Sequence, residues 1–348
     1  MRAALIGAGH IARQHLACLG AMPHVEIEGV CDVSRARAEC ACERFGAQAP
    51  FTDAKAMIRS LKPDVVHVTT PPQFHFDLVM EALAAGAHVI VEKPAALDFK
   101  QVLEMAGAAR AGGVALVENY NYAFSDACLR IRELIQSGEF GEVTHVDVLL
   151  CHDILGPDSP FRDPDLKHPF IDVPGGPIVD FVTHLASLVH AFLGEFRRCE
   201  TSWTKRADSG LPYDEFRALV ETNAGSAHVA FSSNTRPEAF WLRVYGTRMQ
   251  AVANLFETRL TLSRVESGHK AATAFRNAWK EAGAVRRSAF GTLLMKLDGG
   301  PGTYKGVWEL IAQTYRRLEA GREPPISGAD VIAVNRLATS FRPGGRTG

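Results

Sequence analysis

Leu5-Ile6-Gly7-Ala8-Gly9-His10-Ile11-Ala12 decides how this chain begins to fold. An apolar run, residues 1–6, feeds it, and a helix-periodic segment follows. Gly7 allows a tight turn and Gly9 lets the backbone approach a pyrophosphate. Ala12, where a third glycine often stands, keeps the helix close to the strand. Phosphates are then expected at the positive end of that helix, against Gly7, Gly9, His10 and Ile11. A bare GxGxxA is weak evidence, and its context strengthens it. A second strand, residues 25–31, ends in Asp32, about where an acid is expected to accept the adenosine ribose hydroxyls. Asp32 repels a 2′-phosphate, which favours NAD. Arg35 can stack on adenine or help accept a phosphate, so NADP stays open.

The alternation of strand and helix continues. Residues 63–69 form a strand, and Thr70-Pro71-Pro72-Gln73-Phe74-His75 is a proline-rigid loop at its carboxyl end. A periodic helix, residues 76–85, stops at Gly86. Ala87-His88-Val89-Ile90-Val91-Glu92-Lys93-Pro94 follows, with a short β-branched run typical of a central parallel strand. Pro94 ends its ladder. A helix over 98–111 and a strand over 114–117 complete the pattern. These repeats predict a doubly wound parallel sheet of the Rossmann type. Ligands bind at the carboxyl edge of such sheets, where Thr70, Pro71, His75, Glu92 and Lys93 fall. His75 either faces the cofactor or caps the next helix. Lys93 is a candidate proton donor or acceptor, or else a surface lysine at a strand end.

After about residue 120 the texture changes. A helix over 127–136 is followed by strands over 142–150, 199–204, 215–222, 225–233, 240–246, 249–254 and 258–262. They predict an α+β domain with an open, mostly antiparallel sheet. Within it, Pro174-Gly175-Gly176-Pro177 feeds a mostly apolar helix carrying Asp180 and His184. Four residues apart, these share one face. A carboxylate and an imidazole on a buried helix are costly unless paired or used. They are a structural pair or a proton-handling pair.

Bulk properties exclude other classes. The chain has 348 residues, 47% hydrophobic and 22% charged, with formal net charge −1. No bias toward nucleic acid follows. The first residues already read as strand, which leaves no room for a signal peptide. No apolar run reaches the ~20 residues of a membrane span. Cys18, Cys31, Cys40, Cys42, Cys128, Cys151 and Cys199 are scattered, as suits free thiols in a reducing cytoplasm. No metal site is expected. Cys40 and Cys42 point apart on a helix, and Cys151, His152 and Asp153 alternate along an extended segment.

Gly7-Ala8-Gly9-His10-Ile11-Ala12, Thr70-Pro71-Pro72 with His75, residues 86–94, Ser137-Gly138-Glu139-Phe140-Gly141-Glu142-Val143 and Gly175-Gly176-Pro177-Ile178-Val179-Asp180 to His184 occur in order. Together they resemble the glucose–fructose oxidoreductase / inositol dehydrogenase / MocA family over residues 1–262 and 303–342. The resemblance implies an NAD(P)-dependent oxidoreductase acting on sugars, cyclitols or their derivatives, including nucleotide-sugars. It matches Lys93 to the family's Glu-Lys-Pro lysine and Asp180 and His184 to its substrate-site pair, with His184 the usual general acid/base. It implies a cis Lys93-Pro94 bond and a homodimer or homotetramer formed through the open face of the second sheet. Two departures stand out. Pro177 replaces a glycine, and Asn119-Tyr120-Asn121-Tyr122 replaces a basic pair, which argues against phosphorylated sugars. Residues 151–174 form a long polar loop with His152, Asp153, Arg162, Asp163, Lys167 and His168. Tyr120, Asn121 and His152 are the substrate-side candidates beside Asp180 and His184.

Residues 264–302 form a basic insertion. Seven cations and three anions, 7 − 3 = +4, are interspersed with Phe275, Trp279, Val285 and Phe290. It either packs on the sheet or a partner, or gives weak peripheral association with a membrane. The expected organisation is a cofactor domain over 1–120, a substrate-binding and oligomerisation domain over 121–328, and a terminal helix and tail over 329–348 that packs back on the first domain. The leading expectation is reversible hydride transfer between a nicotinamide and a secondary hydroxyl or ketone of a sugar-like molecule, without nucleic-acid partners. A redox-neutral reaction with retained NAD, and a non-catalytic NAD(P)-binding regulator, are the alternatives.

Overall fold

The computed structural model describes residues 1–156, 175–207, 211–257, 259–265, 270–297 and 304–344, and Arg162, Asp163, Lys167 and His168 lie outside them. The chain divides into two compact units, Met1–Asn121 with Gly306–Arg336, and Tyr122–Lys305 with Leu337–Gly348.

The first unit runs β1 (Arg2–Ile6), α1 (Ala12–Gly20), β2 (Glu26–Cys31), α2 (Arg35–Phe45), β3 (Ala49–Phe51), α3 (Ala54–Leu61), β4 (Val65–Val68), α4 (His75–Ala84), β5 (His88–Val91), α5 (Phe99–Gly112) and β6 (Leu116–Glu118). Its strands are all parallel in the order β3-β2-β1-β4-β5-β6. The order reverses between β1 and β4, so their carboxyl ends open the crevice where ligands bind in this topology. The central strands are buried on both faces, as their continuous apolar runs require. Local chemistry starts the helices. Asp53 accepts from the Ala56 amide to cap α3, and Asp98 accepts from the Lys100 amide to cap α5.

The second unit contains α6 (Asp126–Gln136), β7 (Val143–Cys151), α7 (Val179–Leu193), β8 (Phe196–Thr204), β9 (Glu215–Thr222), β10 (Ser226–Ser232), β11 (Ala239–Gly246), β12 (Met249–Asn254), β13 (Arg259–Arg264) and α8 (Lys270–Leu297). Its seven strands are ordered β13-β12-β11-β7-β10-β9-β8. All pairs are antiparallel except β7 with β10. One face packs on α7. Gly176–Leu193 is long and apolar enough to cross a membrane by length and composition, yet 78% of it is buried inside the protein, as in a core helix. The opposite face carries polar side chains at alternate positions, including His145, Asp147, His228 and Arg243.

The basic insertion is mostly the helix α8. It packs along β13, where the Asn277 side-chain amide donates to the Arg264 carbonyl at 3.1 Å. Phe275, Trp279 and Phe290 stand about two-thirds exposed on it. Two further helices close the chain, α9 (Lys305–Glu319) and α10 (Gly328–Ser340). From Gly306 onward α9 belongs to the first unit, although the sequence places it in the second domain. Helix α10 is shared, its residues to Arg336 lying in the first unit and those from Leu337 in the second.

Candidate active site

The first unit builds its site from the loops after β1, β4, β5 and β6. Gly7 turns the chain at φ +97°, and a Cβ there would meet the Thr70 amide and methyl at 2.8 Å. Only glycine fits. A Cβ on Gly9 would meet no protein atom within 4 Å, so that side of the loop is open to a ligand. Thr69 Oγ1 donates to the Gly7 carbonyl at 2.7 Å and fixes the turn. Thr70 Oγ1 is buried without a hydrogen-bond partner, on a residue whose amide and methyl lie against Gly7. Pro71 lies exposed on the same edge. These features fit a dinucleotide.

Asp32 also holds the glycine turn in place. Its carboxylate accepts from the Ala8 amide and the Ser34 amide, both at 2.8 Å, and so ties the glycine turn to the end of β2. It is only 7% exposed, although each oxygen keeps a second acceptor position for a ribose hydroxyl. Arg35 is drawn away into an exposed pair with Glu39 at 2.8 Å. Other basic side chains share a cavity with the glycine loop. A cavity of about 530 Å³ between α1 and α2 is lined by Gly9, His10, Arg13, Arg37 and Arg44.

The segment Glu92-Lys93-Pro94-Ala95 is held atom by atom from below. Glu92 Oε1 accepts from His15 Nε2 at 3.0 Å and from Asn119 Nδ2 at 2.6 Å. The Pro94 carbonyl lies 2.9 Å from His75 Nδ1. The Ala95 amide donates to Glu118 Oε1 at 3.0 Å. Glu118 Oε2 accepts in turn from the Tyr120 hydroxyl at 2.8 Å and from Asn335 of α10. Lys93, half-buried, sits in the middle of this scaffold, and its bond to Pro94 is cis, as the resemblance implies.

Two residues expected to contact ligands prove to be braces. His75 is fully buried, with Nε2 2.7 Å from the Thr70 carbonyl, so its ring joins two loops from beneath and faces no cofactor. Burial lowers its pKa more than the two carbonyls raise it. Tyr120 is 2% exposed and turned inward to Glu118. Burial pushes the Glu118 carboxyl up to about 7, although its hydrogen bonds oppose the shift. Glu92 goes the other way. Burial raises it, but the hydrogen bond and charge of His15, the Asn119 amide and the Lys93 charge outweigh that and hold it below its ordinary value.

A buried chain of polar side chains extends from Glu92 into the core. His15 Nδ1 lies 2.9 Å from His67 Nδ1, and His67 Nε2 lies 2.9 Å from the Tyr315 hydroxyl on α9. His15, His67 and Tyr315 have no accessible surface. Burial, then the neighbouring His15, drives His67 well below the ordinary histidine range, so its ring is neutral. A neutral His67 donates from one ring nitrogen and accepts at the other, so its bonds to His15 and to the Tyr315 hydroxyl run in one sense along the chain, with Tyr315 the terminal partner of His67 Nε2.

The second unit places Asp180 in the first turn of α7, half-buried, and His184 one turn on at 9% exposure. Tyr122 packs edge-on against His184 with ring centroids 4.8 Å apart, and against Phe240 at 4.7 Å. Of the segment 119–122 it is therefore Tyr122 that reaches the helix. Asn121 is half-buried, with its Oδ1 lacking a hydrogen-bond partner. His152 pairs with Glu238 at 3.0 Å and packs at a tilt against Phe181, the neighbour of Asp180, with ring centroids 5.1 Å apart.

Comparison with known proteins agrees with this architecture. A family model described as the oxidoreductase family with an NAD-binding Rossmann fold matches residues 1–120, and the GFO/IDH/MocA C-terminal domain matches residues 128–252. The D-glucoside 3-dehydrogenase of Escherichia coli K12 is 32% identical over 197 residues, covering 56% of this chain and 54% of that protein. The chain thus spans about half the length of that curated relative. The dTDP-3,4-didehydro-2,6-dideoxy-alpha-D-glucose 3-reductase of Streptomyces violaceoruber is 28% identical over 277 residues, 78% of this chain and 75% of that one. An NAD binding oxidoreductase from Klebsiella pneumoniae superposes with TM-score 0.78 at 21% identity, over 98% of this chain and 95% of the other. With an NAD-binding Rossmann unit and the matching C-terminal domain, the chain belongs to the GFO/IDH/MocA oxidoreductase family.

Proposed function

We propose that this protein catalyses reversible oxidation of a secondary hydroxyl on a sugar or nucleotide-sugar, with NAD as its redox partner. The observation that carries this reading is the pinning of residues 92–95. Four buried or half-buried side chains, His15, Asn119, His75 and Glu118, fix three successive groups around Lys93 at the carboxyl edge of an NAD-binding sheet. Such investment in one short segment is the signature of a preorganised site. Bound along that edge by the glycine loop and Thr70, NAD supplies the hydride acceptor. Lys93 then hydrogen-bonds the reacting oxygen and stabilises its developing negative charge. His184 takes the hydroxyl proton, and Asp180 orients His184 or a neighbouring substrate hydroxyl. Tyr122 limits where the imidazole can turn.

The names of two relatives, a 3-dehydrogenase and a 3-reductase, favour the 3-position of a pyranose ring as the reacting carbon. The test is a panel of glycosides, free sugars and nucleotide-sugars followed at 340 nm with NAD+ and NADP+, after mass spectrometry of any copurifying nucleotide. Reduction of NAD+ with a pyranoside, abolished by a 3-deoxy analogue, is the expected result. A copurifying NAD with substrate turnover but no net absorbance change would replace this reading with a redox-neutral reaction.

A further inference from the structure

The open face of the second sheet carries a cluster that the sequence conceals. Strands β7 and β10 pair in parallel with Ser226 beside His145 and His228 beside Asp147. Strand β11 flanks β7 on the other side and sets Tyr245 beside His145. Alternation points all five side chains outward on one face. His145 Nε2 lies 2.9 Å from Asp147 Oδ1, and His228 Nδ1 lies 3.3 Å from the same oxygen. One ligand atom from each of the three residues falls within 4.8 Å of the others.

We propose that His145, Asp147 and His228 bind a divalent transition-metal ion of the zinc class, at a site separate from the candidate active site. Two imidazoles and one carboxylate suit a borderline ion such as Zn²⁺, and exclude the all-oxygen preference of Mg²⁺ or Ca²⁺. A tetrahedral ion with bonds of about 2.1 Å spaces its ligand atoms about 3.4 Å apart. The observed spacing brackets that value, so side-chain adjustment alone suffices.

The supporting residues match what metal sites require. Ser226 Oγ lies 2.9 Å from His145 Nδ1 and fixes that ring, leaving Nε2 toward the cluster. The Tyr245 hydroxyl donates to Asp147 Oδ2 at 2.9 Å, which leaves Oδ1 for the ion. Partners on the far atoms of His145 and Asp147 orient these two ligands and preserve affinity. His145 and Asp147 are half-buried, and His228 is 63% exposed in the single chain. Three protein ligands leave a fourth position for water or a further side chain. The ion would join β7 to β10, the parallel pair in this sheet.

The test uses the full chain without a histidine tag, stripped by chelator, with Cys40→Ser removing the exposed thiol. Titration calorimetry with Zn²⁺ is expected to give one ion per chain with a dissociation constant of 10 µM or tighter. His228→Ala and Asp147→Asn should each weaken it at least tenfold while circular dichroism stays unchanged. Co²⁺ should give visible d–d absorption without a thiolate charge-transfer band. Tyr245→Phe should weaken binding by a smaller factor, because it frees Asp147 to rotate. Binding weaker than 1 mM overturns the proposal, as does tight binding unaffected by both ligand variants.

Discussion

Tyr315→Phe isolates the end of the buried chain behind Glu92. The substitution removes one hydroxyl and keeps the ring, which stacks on His67 with centroids 5.8 Å apart. No cavity larger than an oxygen atom results. What changes is His67 Nε2, which loses its partner at 2.9 Å in a place without accessible surface. A buried polar atom left unsatisfied costs about 1–3 kcal/mol. His67 cannot escape by exchanging its proton between nitrogens. That exchange would set its Nδ1 against His15 and pass the mismatch on toward Glu92. The expected loss in the first unit is therefore about 1–3 kcal/mol. Replacing the acceptor as well should erase it. In a His67→Leu background the Tyr315 hydroxyl already lacks its partner, so adding Tyr315→Phe should cost less than about 0.5 kcal/mol or even stabilise. The assay is equilibrium urea unfolding, read on the transition that NAD+ shifts, because a ligand stabilises only the unit that binds it. Equal losses in both backgrounds, or a Tyr315→Phe change inside ±0.3 kcal/mol, would refute the coupled chain.

Three other outcomes follow from the geometry. Gly7→Ala places a methyl 2.8 Å from Thr70 at a strained φ. It should cost about 2–4 kcal/mol and weaken NAD+ binding more than tenfold, read by fluorescence titration. Glu118 has a folded-state pKa of about 7 against 4.5 unfolded, so its neutral form stabilises the fold at low pH. That contribution is full below pH 4.5, is lost as pH rises through 7, and amounts to about 3 kcal/mol over the range. Glu118→Gln should flatten the stability-versus-pH curve there, and an unchanged slope would contradict the assignment. His75→Leu removes the ring that links the Thr70 and Pro94 carbonyls, and should lower kcat while raising the KM for NAD+ as the 92–95 segment loosens.

The sequence made the Rossmann unit legible because its signals are local. A glycine turn, β-branched runs and capping acids each act within a few residues, and strands 2–6, 65–68 and 88–91 follow from them. The brace beneath Lys93 was not legible, because His15, His67 and Tyr315 meet across separations of 52 and 248 residues. A histidine at a strand's ligand edge reads the same whether it faces a cofactor or lies under the loop, so His75 was open to both meanings. Tyr120, expected on the substrate side, lies inward for a local reason. A 3-10 turn over Asn121–Phe124 breaks the strand alternation, sending Tyr120 inward to Glu118 and Tyr122 to His184. The cluster of His145, Asp147 and His228 depends on register between β7 and β10, which no periodicity within one segment reveals.

The central claim is that Lys93 and His184 handle the proton of a hydroxyl whose hydride passes to NAD+. The direct measurement is single-turnover NADH formation with a saturating substrate from the panel, for Lys93→Ala and His184→Asn beside the unchanged chain. Each variant should form NADH 10²–10⁴-fold more slowly, the range of general acid–base assistance, while the NAD+ dissociation constant stays within threefold. Hydride transfer at the unchanged rate in either variant would contradict the account.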